Sequence, residues 1–266
     1  MKRPCRFGRR AGRRDTGAMQ RVAIVTGSAS GIGRAAAERF AASGLGVVAG
    51  DVRLPTGLPA GVVCLEADVA TASGNAALVE AALERFGRLD TAVLNAGVAG
   101  SRPFEQAGML EQFDHVMDVN VRGVVLGLRA VLVPMVAAGS GSIVITASVS
   151  GLGGDPGMWA YNTSKGAVIN LMRATAIDYA ARGIRVNAVC PGPTHTGMTA
   201  PVRETRPDWY EGLRSRVPMQ RWGEADEIAA VIEFLASSAA SFVTGVAIAV
   251  DGGVTAGTGQ FTPPSA

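Results

Sequence analysis

From residue 21 onward, short β-branched runs alternate with longer stretches of helical periodicity, and few architectures accommodate such a chain. The runs fall at 21–26, 46–50, 62–66, 89–94, 142–146, 185–189 and 247–250. Each is nearly continuous in apolar character, as strands covered on both faces are. Between them Ile32, Ala36 and Phe40 recur at helical spacing, and Ile228, Val231, Ile232 and Leu235 mark the stripe of a late helix. Strands alternating with helices predict right-handed crossovers and a doubly wound α/β sheet of seven mostly parallel strands. No Pro/Ser-rich linker interrupts 19–256, so this stretch is expected to be one domain, flanked by an extension (1–18) and a tail (257–266). Two connections escape the alternation: a loop at 97–105 and a longer segment at 191–223 that carries Trp209 and Tyr210.

Charge is unevenly distributed. Of 25 basic and 22 acidic side chains, seven basic and one acidic lie in residues 1–18, leaving a body with 18 basic against 21 acidic. A mildly acidic body with 14 aromatic residues in 266 argues against a nucleic-acid partner. The basic stretch reads as a disordered extension, with Met19 as an alternative start. No run reaches the 18 or so consecutive apolar residues of a bilayer span, so no membrane partner is expected. Cys5, Cys64 and Cys190, with His115 and His195, lack metal-ligand spacing. No metal is expected, and a reduced, cytoplasmic compartment is.

The Gly-rich octapeptide Thr26-Gly27-Ser28-Ala29-Ser30-Gly31-Ile32-Gly33 follows the first strand and opens the first helix. Glycines there permit a sharp turn and close backbone approach, and the helix N-terminus favours an anion. A dinucleotide pyrophosphate fits that position. No Lys-Ser or Lys-Thr follows the glycines, which excludes a nucleoside triphosphate loop. Asp51 ends the second strand 18 residues beyond Gly33. A carboxylate there accepts hydrogen bonds from both ribose hydroxyls and repels a 2′-phosphate, so NAD is favoured over NADP. Arg53, two residues on, pulls toward the phosphate.

Tyr161 and Lys165 stand four apart at the front of a helix continuing through Val168 and Met172, which puts phenol and ammonium on one face. A neighbouring cation is expected to lower the phenol's pKa toward the working range. Ser148 follows the fifth strand at the sheet's carboxyl edge, where such folds bind ligands. Asn120 lies in an earlier long helix; its amide can bend that helix and hold a water between Lys165 and solvent.

Together these motifs resemble the short-chain dehydrogenase/reductase family, over residues 19–256. The resemblance rests on the octapeptide, Asp51, Asp68, Asn95-Ala96-Gly97, Asn120, Ser148, Tyr161 with Lys165, and Pro191-Gly192. It implies a Rossmann-like fold in which Ser148 binds the substrate oxygen, Tyr161 is the acid/base, Lys165 binds ribose, and Asn120 completes the relay. It also implies cofactor contacts at Gly27, Ser30, Gly31, Ile32 and Gly33, with Asp68 and Val69 at adenine and Asn95 steadying the central strands. Ala96, Gly97, Pro191, Gly192 and Thr194 join the cofactor set, and Thr196 matches the contact to the nicotinamide carboxamide. Relatives of this kind form homotetramers through two long helices, here around 108–136 and 157–181. Thr194 and Ala147 depart from the residues common at their positions, without removing a catalytic group.

The expected reaction is reversible hydride transfer between a secondary alcohol and its ketone. The alternatives are an NADPH-dependent 3-oxoacyl reductase and a nonenzymatic dinucleotide sensor. Gly153, Gly154, Trp159, Met198, Trp209 and Tyr210 are candidate pocket residues for a neutral, partly apolar molecule. Arg203, Arg206 and Arg214 are read as solvated rather than as carboxylate ligands.

Overall fold

The structure, a computed structural model, describes residues 20–258 and 263–264. The basic extension with Cys5, Met19, and most of the tail lie outside the described residues. Among the described residues there are nine strands: β1 (Val22–Thr26), β2 (Gly46–Asp51), β3 (Val63–Glu66), β4 (Thr91–Leu94), β5 (Gly141–Thr146), β6 (Ile184–Pro191), β7 (Thr194–His195), β8 (Gly223–Glu224) and β9 (Ala247–Val250). Eight α-helices accompany them: α1 (Gly31–Ala42), α2 (Ala72–Phe86), α3 (Met109–Met117), α4 (Gly123–Ala138), α5 (Trp159–Tyr179), α6 (Ala200–Thr205), α7 (Pro207–Arg214) and α8 (Ala225–Ala236).

Seven strands form one sheet in the order β3-β2-β1-β4-β5-β6-β9, and every pairing is parallel. The alternation of β1 explains its two-sided burial. Val22 and Ile24 face a core with Leu78 of α2, Leu128 of α4 and Met172 of α5, while Ala23 and Val25 face Phe40 of α1 and Ile232 of α8. Burying such aliphatic side chains contributes about 1.5–3 kcal/mol apiece, so the sheet is held from both faces. Strand order reverses on either side of β1, which opens a crevice at the carboxyl ends of β1 and β4.

Four features depart from the sequence reading. Arg21 and Leu89 lie outside the strands: the Arg21 guanidinium donates to the Ala236 carbonyl, and Asp90 accepts the Val22 N–H. The first strand thus begins one residue late, with side chains finishing its edge. The segment 191–223 is not an open loop, since it contains α6, α7 and a small parallel pair, β7 with β8. The helix carrying Asn120 is interrupted by a π-turn at Asp118–Arg122. Finally, α3, the π-turn and α4 form one 30-residue helical run, Met109–Ala138, long and apolar enough by composition to cross a bilayer. The sequence predicts a long helix around 108–136, but not a composition of this kind, because scattered polar residues break the continuous apolar run. Gly123, Val124, Gly127, Leu128, Val131, Leu132 and Met135 of α4 are nevertheless buried, as in a core helix.

Candidate active site

The Gly-rich turn is shaped by contact. Gly33 packs so closely on the turn that a Cβ there would lie 2.2 Å from the Gly27 carbonyl oxygen. Gly27 has φ +68°, and a Cβ on it would lie 2.8 Å from the Ala96 Cα. No side chain caps the N-terminus of α1, so the first-turn N–H groups of Gly31, Ile32 and Gly33 face the crevice with the positive end of the helix dipole. A group with a diphosphate fits this cradle. Ser30 supplies the N-cap position with extended backbone, and Gly197 crosses it closely, 3.3 Å from the Ser30 Oγ to a built Cβ.

Two side chains hold the turn in place. Thr26 Oγ1 accepts the N–H groups of Asn95 (2.9 Å) and Ala96 (3.1 Å), tying β4 to β1 just past the sheet. Asn95 Nδ2 returns a bond to the Thr26 carbonyl at 3.0 Å. Sequence reasoning missed the Thr26 hydroxyl, whose two partners come from a strand about 70 residues away. Asp51 accepts the Ala29 N–H with one oxygen (3.1 Å) and the Arg53 N–H with the other (3.2 Å). Its carboxylate therefore stands beside the Gly-rich turn, where the spacing puts it.

Asp68 lies exposed at the carboxyl edge of β3 and accepts the Ala70 N–H. Val69 is buried against Gly123, so Asp68 offers the more accessible surface of the two.

Asn120, Ser148, Tyr161 and Lys165 are brought to one place. In the π-turn, the Asn120 Oδ1 accepts the Val98 N–H at 2.8 Å, and its Nδ2 donates to the Val98 carbonyl and the Ser164 hydroxyl. The helix changes to a π-turn here, and both amide hydrogens are committed to protein. Only a spare lone pair on Oδ1 remains for a water. Gly97 sits between this amide and Lys165: a Cβ on it would lie 3.1 Å from Asn120 Oδ1 and 3.4 Å from Lys165 Nζ.

Lys165 is buried, donates to the Thr146 carbonyl at 2.9 Å, and lies 5.6 Å from the centre of the Tyr161 ring. Burial lowers its pKa to about 8. The Tyr161 phenol moves the opposite way from the sequence expectation. Burial raises it above its ordinary value, the Ser148 hydroxyl opposes that rise, and the Asp155 carboxylate adds to it. Desolvation prevails here, and the Lys165 head is directed at the Thr146 carbonyl. Ser148 caps a short turn, accepting the Ser150 N–H at 3.1 Å.

The depressed Lys165 makes stability depend on pH. Between about 8 and 10.5 the unfolded chain holds this proton and the folded chain does not, so stability rises with pH across that window. Lys165→Met removes the penalty. Its stability advantage over the wild type is expected to shrink by about 3 kcal/mol from pH 8 to pH 10.5, as measured by urea unfolding.

Pro191 ends β6, the Thr194 hydroxyl donates to the Gly192 carbonyl at 2.9 Å, and Thr196 lies against Gly31, 3.0 Å from a built Cβ. The candidate pocket residues fare differently. Trp159 is stacked between Phe104 (4.3 Å) and Phe113 (5.5 Å) and donates its indole N–H to the Arg102 carbonyl. It is tied in this way to the loop preceding α3. Tyr210 is turned toward His195 and Trp222. Gly153, Gly154, Met198 and Trp209 remain exposed. Arg206 lies over the Trp209 ring, and Arg214 binds Glu211 and Gln220, so both are held within the segment, while Arg203 is exposed.

A doubly wound sheet with a Gly-rich first turn and a Tyr–Lys–Ser group at its carboxyl edge defines a nucleotide-dependent dehydrogenase class. A family model described as enoyl-(acyl carrier protein) reductase matches residues 27–255. The chain is 44% identical over 253 residues to 2-(R)-hydroxypropyl-CoM dehydrogenase of Xanthobacter autotrophicus, covering 90% of this chain and 100% of that one. It is 38% identical to meso-2,3-butanediol dehydrogenase of Serratia marcescens, covering 90% and 96%. The crystal structure of levodione reductase superposes with a TM-score of 0.82 at 37% identity, covering 89% of this chain and 98% of that one. The chain belongs to the short-chain dehydrogenase/reductase family. It is an oxidoreductase of secondary alcohols and ketones, working with a nicotinamide dinucleotide on a small-molecule substrate.

Proposed function

We propose that the chain is an NAD-dependent secondary-alcohol dehydrogenase in which Tyr161 is the general acid/base. The observation that carries this is the convergence of a half-buried phenol, a buried ammonium and the Ser148 hydroxyl at the carboxyl edge of the sheet. When bound, the nicotinamide supplies the hydride acceptor or donor. Gly27, Ser30, Gly31, Ile32 and Gly33 would hold its diphosphate, and Asp51 the adenosine ribose. Thr194 and Thr196 would flank the nicotinamide end, with Asp68 and Val69 at the adenine. In alcohol oxidation Tyr161 takes the hydroxyl proton and Ser148 donates a hydrogen bond to the developing alkoxide. Lys165 would hold the nicotinamide ribose, and while protonated its ammonium favours the ionised phenol. Asn120 holds the Val98 backbone and Ser164 in register with this group.

NAD is preferred because Asp51 is fixed by two backbone N–H groups and so presents a charge that cannot swing away from a 2′-phosphate. Side-by-side initial rates test it. The wild type is expected to favour NAD in kcat/KM by about tenfold or more, and Asp51→Ser to narrow the ratio by about tenfold, near 1.4 kcal/mol. A wild-type preference for NADP would overturn the reading in favour of a 3-oxoacyl-type reductase. A homotetramer is the accompanying assembly, supported by the exposed apolar side chains Val125 and Val133 on α4 and Ile177 on α5. A cytoplasmic location goes with the free thiols of Cys64 and Cys190.

A further inference from the structure

His195 occupies the middle of the stretch Thr194-His195-Thr196, and its ring is fully engaged. Nδ1 lies 2.8 Å from Glu224 Oε1, and Nε2 lies 3.0 Å from the Tyr210 hydroxyl. A carboxylate only accepts, so Nδ1 carries the hydrogen donated to Glu224. In the neutral ring Nε2 is then the acceptor for the Tyr210 O–H. Glu224 is the N-cap residue of α8, and its backbone N–H is held by the Glu227 carboxylate at 2.8 Å. The anchor for His195 is therefore the N-terminus of α8.

On the far side of the ring, Tyr210 of α7 is held three times. Its hydroxyl meets His195, its ring stacks on Trp222 at 4.7 Å, and its carbonyl accepts the Trp222 indole N–H at 3.2 Å. Trp222 also stacks on His195 at 5.6 Å. The neighbours of His195 in the chain point to the other site. Thr196 lies on Gly31, and Gly197 on Ser30, at the N-terminus of α1. The Thr199 hydroxyl closes the same segment, donating to the Thr194 carbonyl at 2.7 Å and accepting the Thr196 N–H at 3.0 Å. The stretch 194–196 thus touches the nucleotide turn through Thr196 and the α6–α7 segment through His195.

We propose that His195 is a positioning residue that transmits occupancy of the nucleotide cleft to the segment 200–214 through its hydrogen bond with Tyr210. This inference rests on the nucleotide reading above. A dinucleotide held by Thr194 and Thr196 restrains β7; β7 carries His195, and His195 restrains α7. Substrate then meets a segment already ordered, which lowers KM without altering the chemical step.

The test uses the full chain and NADH, whose binding is followed by its own fluorescence. The segment offers trypsin Arg203 and Arg214. In the wild type, saturating NADH is expected to slow cleavage there by about fivefold or more, since cleavage follows local opening. Tyr210→Phe keeps the ring stack and removes only the hydroxyl. It is expected to bind NADH within about twofold of wild type, to lose most of the protection, and to raise the alcohol KM about fivefold with kcat little changed. His195→Gln, which cannot serve Glu224 and Tyr210 in the same geometry, is expected to repeat that pattern. Failure of the wild type to bind NADH overturns the nucleotide reading and this inference with it. Binding without protection in the wild type, or undiminished protection in Tyr210→Phe, overturns the coupling alone.

Discussion

Tyr161→Phe lowers kcat for alcohol oxidation by about a hundredfold or more, the usual worth of a positioned acid/base, while dinucleotide affinity stays near wild type. The substitution is clean because the ring keeps its half-buried place on α5 and its approach to Lys165. Only the proton acceptor is lost. The wild type should also show a pH dependence that the variant lacks. Burial raises the phenol's pKa, so its ionised fraction, and with it the rate of oxidation, climbs as pH rises through the alkaline range. Ketone reduction needs the protonated phenol and should fall over the same range. Steady-state rates from pH 6 to 11 in both directions check both signs. A variant retaining more than a tenth of wild-type kcat would remove Tyr161 from the role.

Gly33→Ala is the second large effect. A methyl group there meets the Gly27 carbonyl oxygen at 2.2 Å and the Asn95 side-chain nitrogen at 2.6 Å, and neither is the free end of a flexible chain. The Gly27 carbonyl belongs to a turn at positive φ, and Asn95 is bound to Thr26. The turn must therefore move away from α1, displacing the N–H groups that would hold a diphosphate. Overpacking of this kind costs about 1–3 kcal/mol. A weakening of NADH binding by about thirtyfold is expected, near 2 kcal/mol, measured by fluorescence titration. Gly212→Ala is the control, since a methyl group there meets nothing within 4 Å.

The sheet was legible because two-sided burial leaves a direct trace: β1, β2, β5 and β6 are nearly unbroken apolar runs. The Gly-rich turn was legible for a related reason, since Gly27 and Gly33 are required by sterics between neighbours in the chain. The pair β7 and β8 was not, because two residues carry no periodicity and the partners lie 29 apart. The α6–α7 segment was hidden by its prolines, which read as loop residues yet begin these short helices at their first turns. Trp159 and Tyr210 were read as pocket residues from size alone; their partners Phe104, Phe113, His195 and Trp222 come from other parts of the chain. The direction of the Tyr161 shift was misread for a physical reason. Spacing reveals that Lys165 shares its helix face, but not that both groups are buried deeply enough for desolvation to prevail.

The identity of the acid/base and its partner is tested most directly by a crystal structure of the chain with NAD and a non-reacting ketone or alcohol analogue. The account predicts the analogue's oxygen within about 2.6–3.2 Å of both the Tyr161 and Ser148 hydroxyls, on the face of the cleft shared with the nicotinamide. An analogue whose oxygen touches neither hydroxyl, with the nicotinamide lying away from Tyr161, would contradict it.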